Sequence, residues 1–442
     1  MTRPILPVSR RTLLAGLGGT ILAPLAPVAG LAQARPVLAL QARAGTASLR
    51  PGVETATWLL TSPAPDGPPR FKRGDELEVS LENQLPVPVA LNWPGIDGVA
   101  SAEPLLGRPA LAPRGKDAFR LLLRHAGTSL IDTRLLGDDQ VRPAPSRVLI
   151  VQETEPVAVD RDEVLLIEDF RLRPDGSALA PGVDPKDATA LFTINSKASL
   201  DLTARANDRL RLRIINGCQR NVIAFKIEDH EVRVMAIDGQ PAEPFPARNS
   251  QLVLAPGTRI DVFIDAVRPA GSTSNILLHD GKEPRPIARL IVSADAPIRD
   301  KPLPIAAPLP SNGLPAQLDL KTALRVDLAL GAPAASQPDW IKPTDLAAAS
   351  APTFRTKIGR TVVLALTNRA AIPTAFHLHG HHFRLLDRLD DGWKPFWLDT
   401  LAIDAGQTQR IAFAAEHAGR WLMEAMATDW AAPRLLRWYS VE

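Results

Sequence analysis

Cysteine, aromatic residues and net charge are all scarce in this chain of 442 residues, and each scarcity removes a class of protein. The single cysteine, Cys218, excludes an intramolecular disulfide framework and any CxxC redox or zinc-knuckle chemistry. No apolar run is long and uninterrupted enough to form a membrane-spanning helix, which takes about 20 residues. The 51 Lys and Arg face 48 Asp and Glu, and the excess lies in residues 1–34, which carry Arg3, Arg10 and Arg11 and no acid. The remainder is neutral and has no basic run to displace counterions from a phosphate backbone, so no nucleic-acid partner is expected. With 45% apolar residues there is enough surface to bury against chain entropy, which excludes intrinsic disorder.

Proline, by contrast, is abundant: 42 residues spread over the whole chain. Such a distribution breaks long helices and suits short strands joined by turns. Short alternating or β-branched segments recur at Glu76 to Leu81, Phe119 to Leu123, Arg147 to Gln152, Val164 to Asp169, Leu210 to Ile215, Glu231 to Ile237, Arg259 to Asp265, Thr361 to Leu366 and Gln409 to Phe413. They predict an all-β fold of sandwiches. The Ala- and Pro-rich segments 298–318 and 331–352 read as linkers or surface loops.

One pattern occurs three times. Arg73-Gly74-Asp75-Glu76-Leu77-Glu78-Val79 leads to Asn83, Asn207-Asp208-Arg209-Leu210-Arg211-Leu212 leads to Asn216, and Gly359-Arg360-Thr361-Val362-Val363-Leu364 leads to Asn368. Each copy is a turn, a strand and an asparagine. Repetition of this kind predicts three homologous β domains, placed at 35–155, 156–300 and 301–442.

The N-terminus carries an export pattern. Ser9-Arg10-Arg11-Thr12-Leu13-Leu14 is a twin-arginine sequence, a modestly apolar stretch runs to Leu31, and Ala32-Gln33-Ala34 fits a cleavage site. Gly16, Gly18, Gly19, Pro24 and Pro27 break the stretch too often for an anchor helix. Residues 1–34 are therefore expected to be a signal peptide engaging the twin-arginine translocase. The mature chain, beginning near Arg35, is expected in the periplasm with no membrane span.

The repeats, together with Phe192-Thr193-Ile194-Asn195, Ala236-Ile237-Asp238-Gly239 and Leu254-Ala255-Pro256-Gly257-Thr258-Arg259, resemble the three cupredoxin-like Greek-key β-sandwich domains of the multicopper oxidase family. The resemblance extends over the whole mature chain and to the frames of the family's four copper motifs. His-Trp-His-Gly falls on Asn92-Trp93-Pro94-Gly95, followed by Asp97-Gly98. The second motif falls on Gly127-Thr128-Ser129-Leu130-Ile131-Asp132-Thr133-Arg134, and the third on Thr374-Ala375-Phe376-His377-Leu378-His379-Gly380-His381. The fourth opens at Gly419-Arg420-Trp421, with His-Cys-His on Glu424-Ala425-Met426, the next type 1 histidine on Trp430 and the axial position on Leu435.

At the positions where the family ligates copper through His or Cys, only His377 and His379 keep the residue. The resemblance thus implies a member without a type 1 centre, because Thr374, Ala425 and Trp430 offer neither thiolate nor imidazole, and without most of the trinuclear cluster. His377, His379 and His381 alternate and are expected on one strand face, with His382 opposite. Asp132 and Glu424 are expected to approach His377 and His379. These four are the candidate remnant metal site, able to take a single copper or other divalent ion. In the competing reading no cofactor is bound and the histidines bond the new carboxylates, with Arg134 pairing Asp132 or Glu424. His125, His230, His279 and His417 are expected as surface or packing residues, and Cys218 as a packed thiol.

The functional expectation is a non-catalytic periplasmic scaffold or binding protein with a protein partner. It resembles in pattern the family's copper-free cell-division protein, which protects the division machinery under stress. The alternative is a metal-binding protein or oxidoreductase using the mononuclear remnant.

Overall fold

The asparagine that ends each repeated segment is fully buried in all three copies. Each makes the same set of hydrogen bonds. Asn83 Oδ1 accepts from the Leu85 N–H at 3.0 Å, while its Nδ2 donates to the carbonyls of Val87 and Leu111, both at 2.9 Å. Asn216 Oδ1 accepts from the Cys218 N–H at 2.9 Å and its Nδ2 donates to Asn221 O and Leu254 O. Asn368 does so with the Ala370 N–H, Ile372 O and Ile403 O. A buried amide of this kind is stable only when its polar atoms are bonded. Here it ties the end of a strand to two later segments.

The strands leading to these asparagines are also equivalent. Glu76–Asn83 lies between Val37–Arg50, parallel, and Lys116–Leu122, antiparallel. Arg209–Asn216 lies between Arg161–Leu172, parallel, and Arg259–Asp265, antiparallel. Thr361–Asn368 has Leu324–Leu330 and Thr408–Ala414 in the same relation. These three strands occupy separate sheets, of four, seven and four strands, and sheets of three, five and five complete the set. The fold is all-β, built from cupredoxin-like β-sandwiches, and the described helical turns are short 3₁₀ segments. A computed structural model describes residues 35–63, 67–331, 340–348, 351–387 and 392–442. The twin-arginine segment and part of the 331–352 loop lie outside the described residues.

Alternation puts Leu210, Leu212 and Ile214 into the apolar core. On the other face of the same strand stand Arg209, Arg211 and Arg213, all buried and each paired. Arg209 meets Asp265 at 2.7 Å, Arg211 meets Asp261 at 2.6 Å, and Arg213 meets Asp162 at 2.6 Å. Thr128, from the strand Gly127–Ile131, donates to Asp261 at 2.9 Å and accepts from Arg213. The face turned to the neighbouring sheet is therefore a hydrogen-bonded ionic layer, with each charge matched as burial requires.

Candidate functional site

The strand Thr374–Leu378 sits between Gly419–Ala427 and Thr400–Ile403, which sets His377 directly opposite Glu424 on one side and Thr400 on the other. Side chains opposite one another in a sheet share a face, so the register alone brings His377 and Glu424 together. Thr374, Phe376, Ala425 and Ala427 fall on the reverse face. Thr374 bonds Asn368 at 3.2 Å and Ala425 is core. Trp430 donates its indole N–H to Ala180 O at 3.0 Å, under the Arg171 guanidinium.

Past Leu378 the strand ends. Gly380 adopts φ +75° with its Cα against the Trp421 ring, where an added Cβ would lie 2.1 Å from a ring carbon. Only glycine fits such a position. The chain turns there, so the expected common face of His377, His379 and His381 does not extend to His381. That ring packs among Phe413, Trp421 and Tyr439. Its Nδ1 lies 2.8 Å from the Tyr439 hydroxyl, which itself donates to His379 O, and its Nε2 accepts from the His417 N–H. Burial above all holds His381 neutral, its pKa lowered to about 3.

His379 has the opposite fate. Its Nδ1 lies 2.9 Å from Glu103 Oε1 and its Nε2 2.7 Å from Glu424 Oε1. Burial opposes a charge there, yet the two carboxylates raise the pKa to about 10, so the ring is an imidazolium donating from both nitrogens. Glu103 also accepts the Leu422 N–H at 3.0 Å. Glu424 takes a weak bond from Asn92 Nδ2 at 3.3 Å and an ion pair with Arg434. Arg434 and His379 hold the Glu424 carboxyl well below its usual range against the effect of burial.

His377 donates from Nδ1 to Thr400 Oγ1 at 2.9 Å, because that hydroxyl is already committed to Asp399. Two small cavities, of about 20 and 40 Å³, border His377. Each has room for one or a few waters and neither for an organic substrate.

Two expectations need correction. Asp132 lines the larger cavity with His377 and Glu424, but its carboxylate turns back onto the Arg134 N–H at 3.0 Å. The close donor set is His377, His379 and Glu424, whose ligating atoms lie within 4.8 Å of one another. Arg134 does not pair with Asp132 or Glu424 through its guanidinium. The short turn Arg134–Leu136 sends it to Glu168 at 2.7 Å, Ala144 O and Gly217 O. Arg434 is the cation on Glu424.

Two features carry little signal in the sequence: Glu103, and a second cluster in which Asp97 meets His382 at 2.5 Å and His125 at 3.3 Å. His125 is therefore more than a packing residue. The one local signal for this cluster was Asp97-Gly98 behind the first motif frame. Cys218 is buried, as expected, and burial pushes its thiol pKa well up.

The family model described as multicopper oxidase matches residues 140–275, and a second model of the same description matches 318–441. The multicopper oxidase MmcO of Mycobacterium tuberculosis is 24% identical, with 84% of this chain and 80% of that protein covered. Laccase-7 of Arabidopsis thaliana is 24% identical over 48% of this chain and 40% of its own. Among solved structures, the multi-copper oxidase from Pseudomonas thermotolerans superposes with a TM-score of 0.78 at 24% identity, covering 92% of this chain and all of that one. The two model matches together span more than half of the chain, and with the threefold strand–asparagine device they place it in the multicopper oxidase family, as a member built of three cupredoxin domains.

Proposed function

We propose that this chain is an exported, periplasmic member of the family that works without copper, as a non-catalytic scaffold or binding protein with a protein partner, in cell division or envelope stress. The observation that carries the reading is the bracketing of His379 by Glu103 and Glu424 with Arg434 behind. Both nitrogens of that imidazole are occupied by protons shared with carboxylates, and the positive charge a metal cluster would bring is supplied by His379 and Arg434. A metal could reach His379 only by displacing one of these protons and breaking its ion pair with Glu103 or Glu424, and Arg434 already holds Glu424.

The donor set does not fit three coppers. Asn92, Pro94, Asp132, Arg134, Glu424 and Met426 occupy the frame positions beside His377 and His379, and Thr374, Ala425 and Trp430 occupy those of the type 1 centre. A second reading, a single ion on His377, His379 and Glu424, draws on the 4.8 Å spacing of their donor atoms. Arg434 opposes it by holding Glu424.

The test is oxygen uptake with a phenolic electron donor after supplying copper to the full exported chain. The expected rate equals that of free copper, and it is the same for the His377→Ala/His379→Ala variant. Turnover that disappears in that variant establishes the second reading. For the cellular role, a deletion strain is expected to divide poorly under salt shock, and normal division removes the cell-division part of the proposal.

A further inference from the structure

Outside the former copper frame, Asp97, His125 and His382 converge from three separate loops. Asp97 is fixed by a bridge to Gly380, with the Gly98 N–H donating to Gly380 O at 3.2 Å. His125 lies between the strands Lys116–Leu122 and Gly127–Ile131, and His382 just beyond the Gly380 turn. The carboxylate oxygen of Asp97 and one nitrogen of each histidine lie within 4.8 Å of one another.

We propose that these three side chains form a binding site for a single divalent zinc-type cation, which staples the loops together. The donor chemistry selects the ion: two imidazoles and one carboxylate suit Zn²⁺ and its first-row neighbours, whereas Mg²⁺ and Ca²⁺ require oxygen. The orientation of each ring is already set. His382 donates from Nε2 to Asp238 O at 2.8 Å, the outer bond that metal-bound histidines make to fix the tautomer and aim the other nitrogen. Its Nδ1 faces Asp97 at 2.5 Å.

For His125, the Gln240 amide holds the ring in place. Gln240 Oε1 accepts from Asn312 at 3.0 Å, so its Nε2 is the donor toward His125 Nδ1 at 3.1 Å. The same nitrogen lies 3.3 Å from Asp97, and a bound cation replaces its contact with Gln240. Asp97 and His382 have side chains 4% and 0% exposed, while His125 is 12% exposed and opens a way in. Without metal, His382 carries a proton shared with Asp97, burial opposing and Asp97 raising its pKa to about 9. Zinc takes that proton's place, a water completes the fourth position, and the displaced proton leaves to solvent. The proposal stands apart from the copper-free reading, because none of its ligands belongs to His377, His379 or Glu424.

The test is zinc uptake by equilibrium dialysis of the full chain after chelator treatment, with Co²⁺ as a spectroscopic probe. Wild type and the His377→Ala/His379→Ala variant are each expected to hold about one zinc per chain and to give the intense visible bands of four-coordinate cobalt. His125→Ala, which alters the most accessible ligand, is expected to lose both signals while keeping its melting transition, and Asp97→Asn serves as a second variant. Zinc binding unchanged in His125→Ala and Asp97→Asn overturns the proposal. So does loss of zinc only in the His377→Ala/His379→Ala variant, or failure of folded wild type to bind zinc at all.

Discussion

Arg259→Met is expected to lower the stability of the chain by about 3–5 kcal/mol, the cost of removing one partner from a buried ion pair. Arg259 is fully buried and uses its whole guanidinium. It pairs with Asp399 at 2.6 and 3.1 Å and donates to Asp238 O, Gly257 O and Thr128 O. Asp238 in turn accepts the N–H groups of Asp399 and Thr400. The side chain thus binds segments from each third of the chain. Without it, two buried carboxylates face each other; burial and the Asp399 charge already raise Asp238 to about 6. Denaturant midpoints measure the effect. Arg259→Lys, which keeps the charge and loses the fork, is expected between the two. A midpoint for Arg259→Met equal to wild type would show that the ionic junction does not hold the segments together.

Arg434→Met is the second large loss, also about 3–5 kcal/mol. It strips Glu424 of its main cation and leaves it near Asp132, whose pKa burial has already raised. Buried histidines in this network and in the Asp97 cluster make stability depend on pH. His379, at about 10, and His382, at about 9, lie above the 6.5 of a free histidine. Their contribution is complete below about pH 6.5 and is lost as pH rises through 9 to 10. His381, lowered to about 3, acts in the other direction: below 6.5 the unfolded chain gains a proton that the fold refuses. Midpoints measured from pH 7 to 10 should fall, and fall less steeply in His379→Gln. An equal slope in both would place the charge elsewhere.

Local pattern made the strands legible where apolar alternation was strong. Arg147–Gln152 and Arg259–Asp265 have the expected bounds, and Glu76–Asn83 and Thr361–Asn368 extend the expected strands by two residues. The long hairpin Val37–Arg50 with Val53–Thr61 carried no such signal, since Ala44, Gly45, Thr46, Ala47 and Ser48 are small. Gly45 is small for a reason seen only across the pair, because a Cβ there would meet Leu59 at 2.3 Å. In the candidate site, Glu424 beside the retained histidines was legible from the motif frame. Glu103 and the Asp97–His382 pair were not, because their contacts join segments hundreds of residues apart; Arg434 lies only ten residues from Glu424, on the next strand, but the motif frame does not fix the register of that hairpin. The misassignment of His381 came from extending a strand through a glycine whose positive φ ends it. Arg134 was misassigned because the motif frame places its backbone and leaves the direction of its side chain open.

The most direct test of the copper-free account is metal content by mass spectrometry on the full chain exported through its own N-terminal segment, purified without chelator from copper-supplemented cells. The account predicts less than about a tenth of a copper per chain, unchanged in His377→Ala/His379→Ala, since the His379 nitrogens are engaged by Glu103 and Glu424. Copper near one ion per chain, lost in that variant, would contradict it.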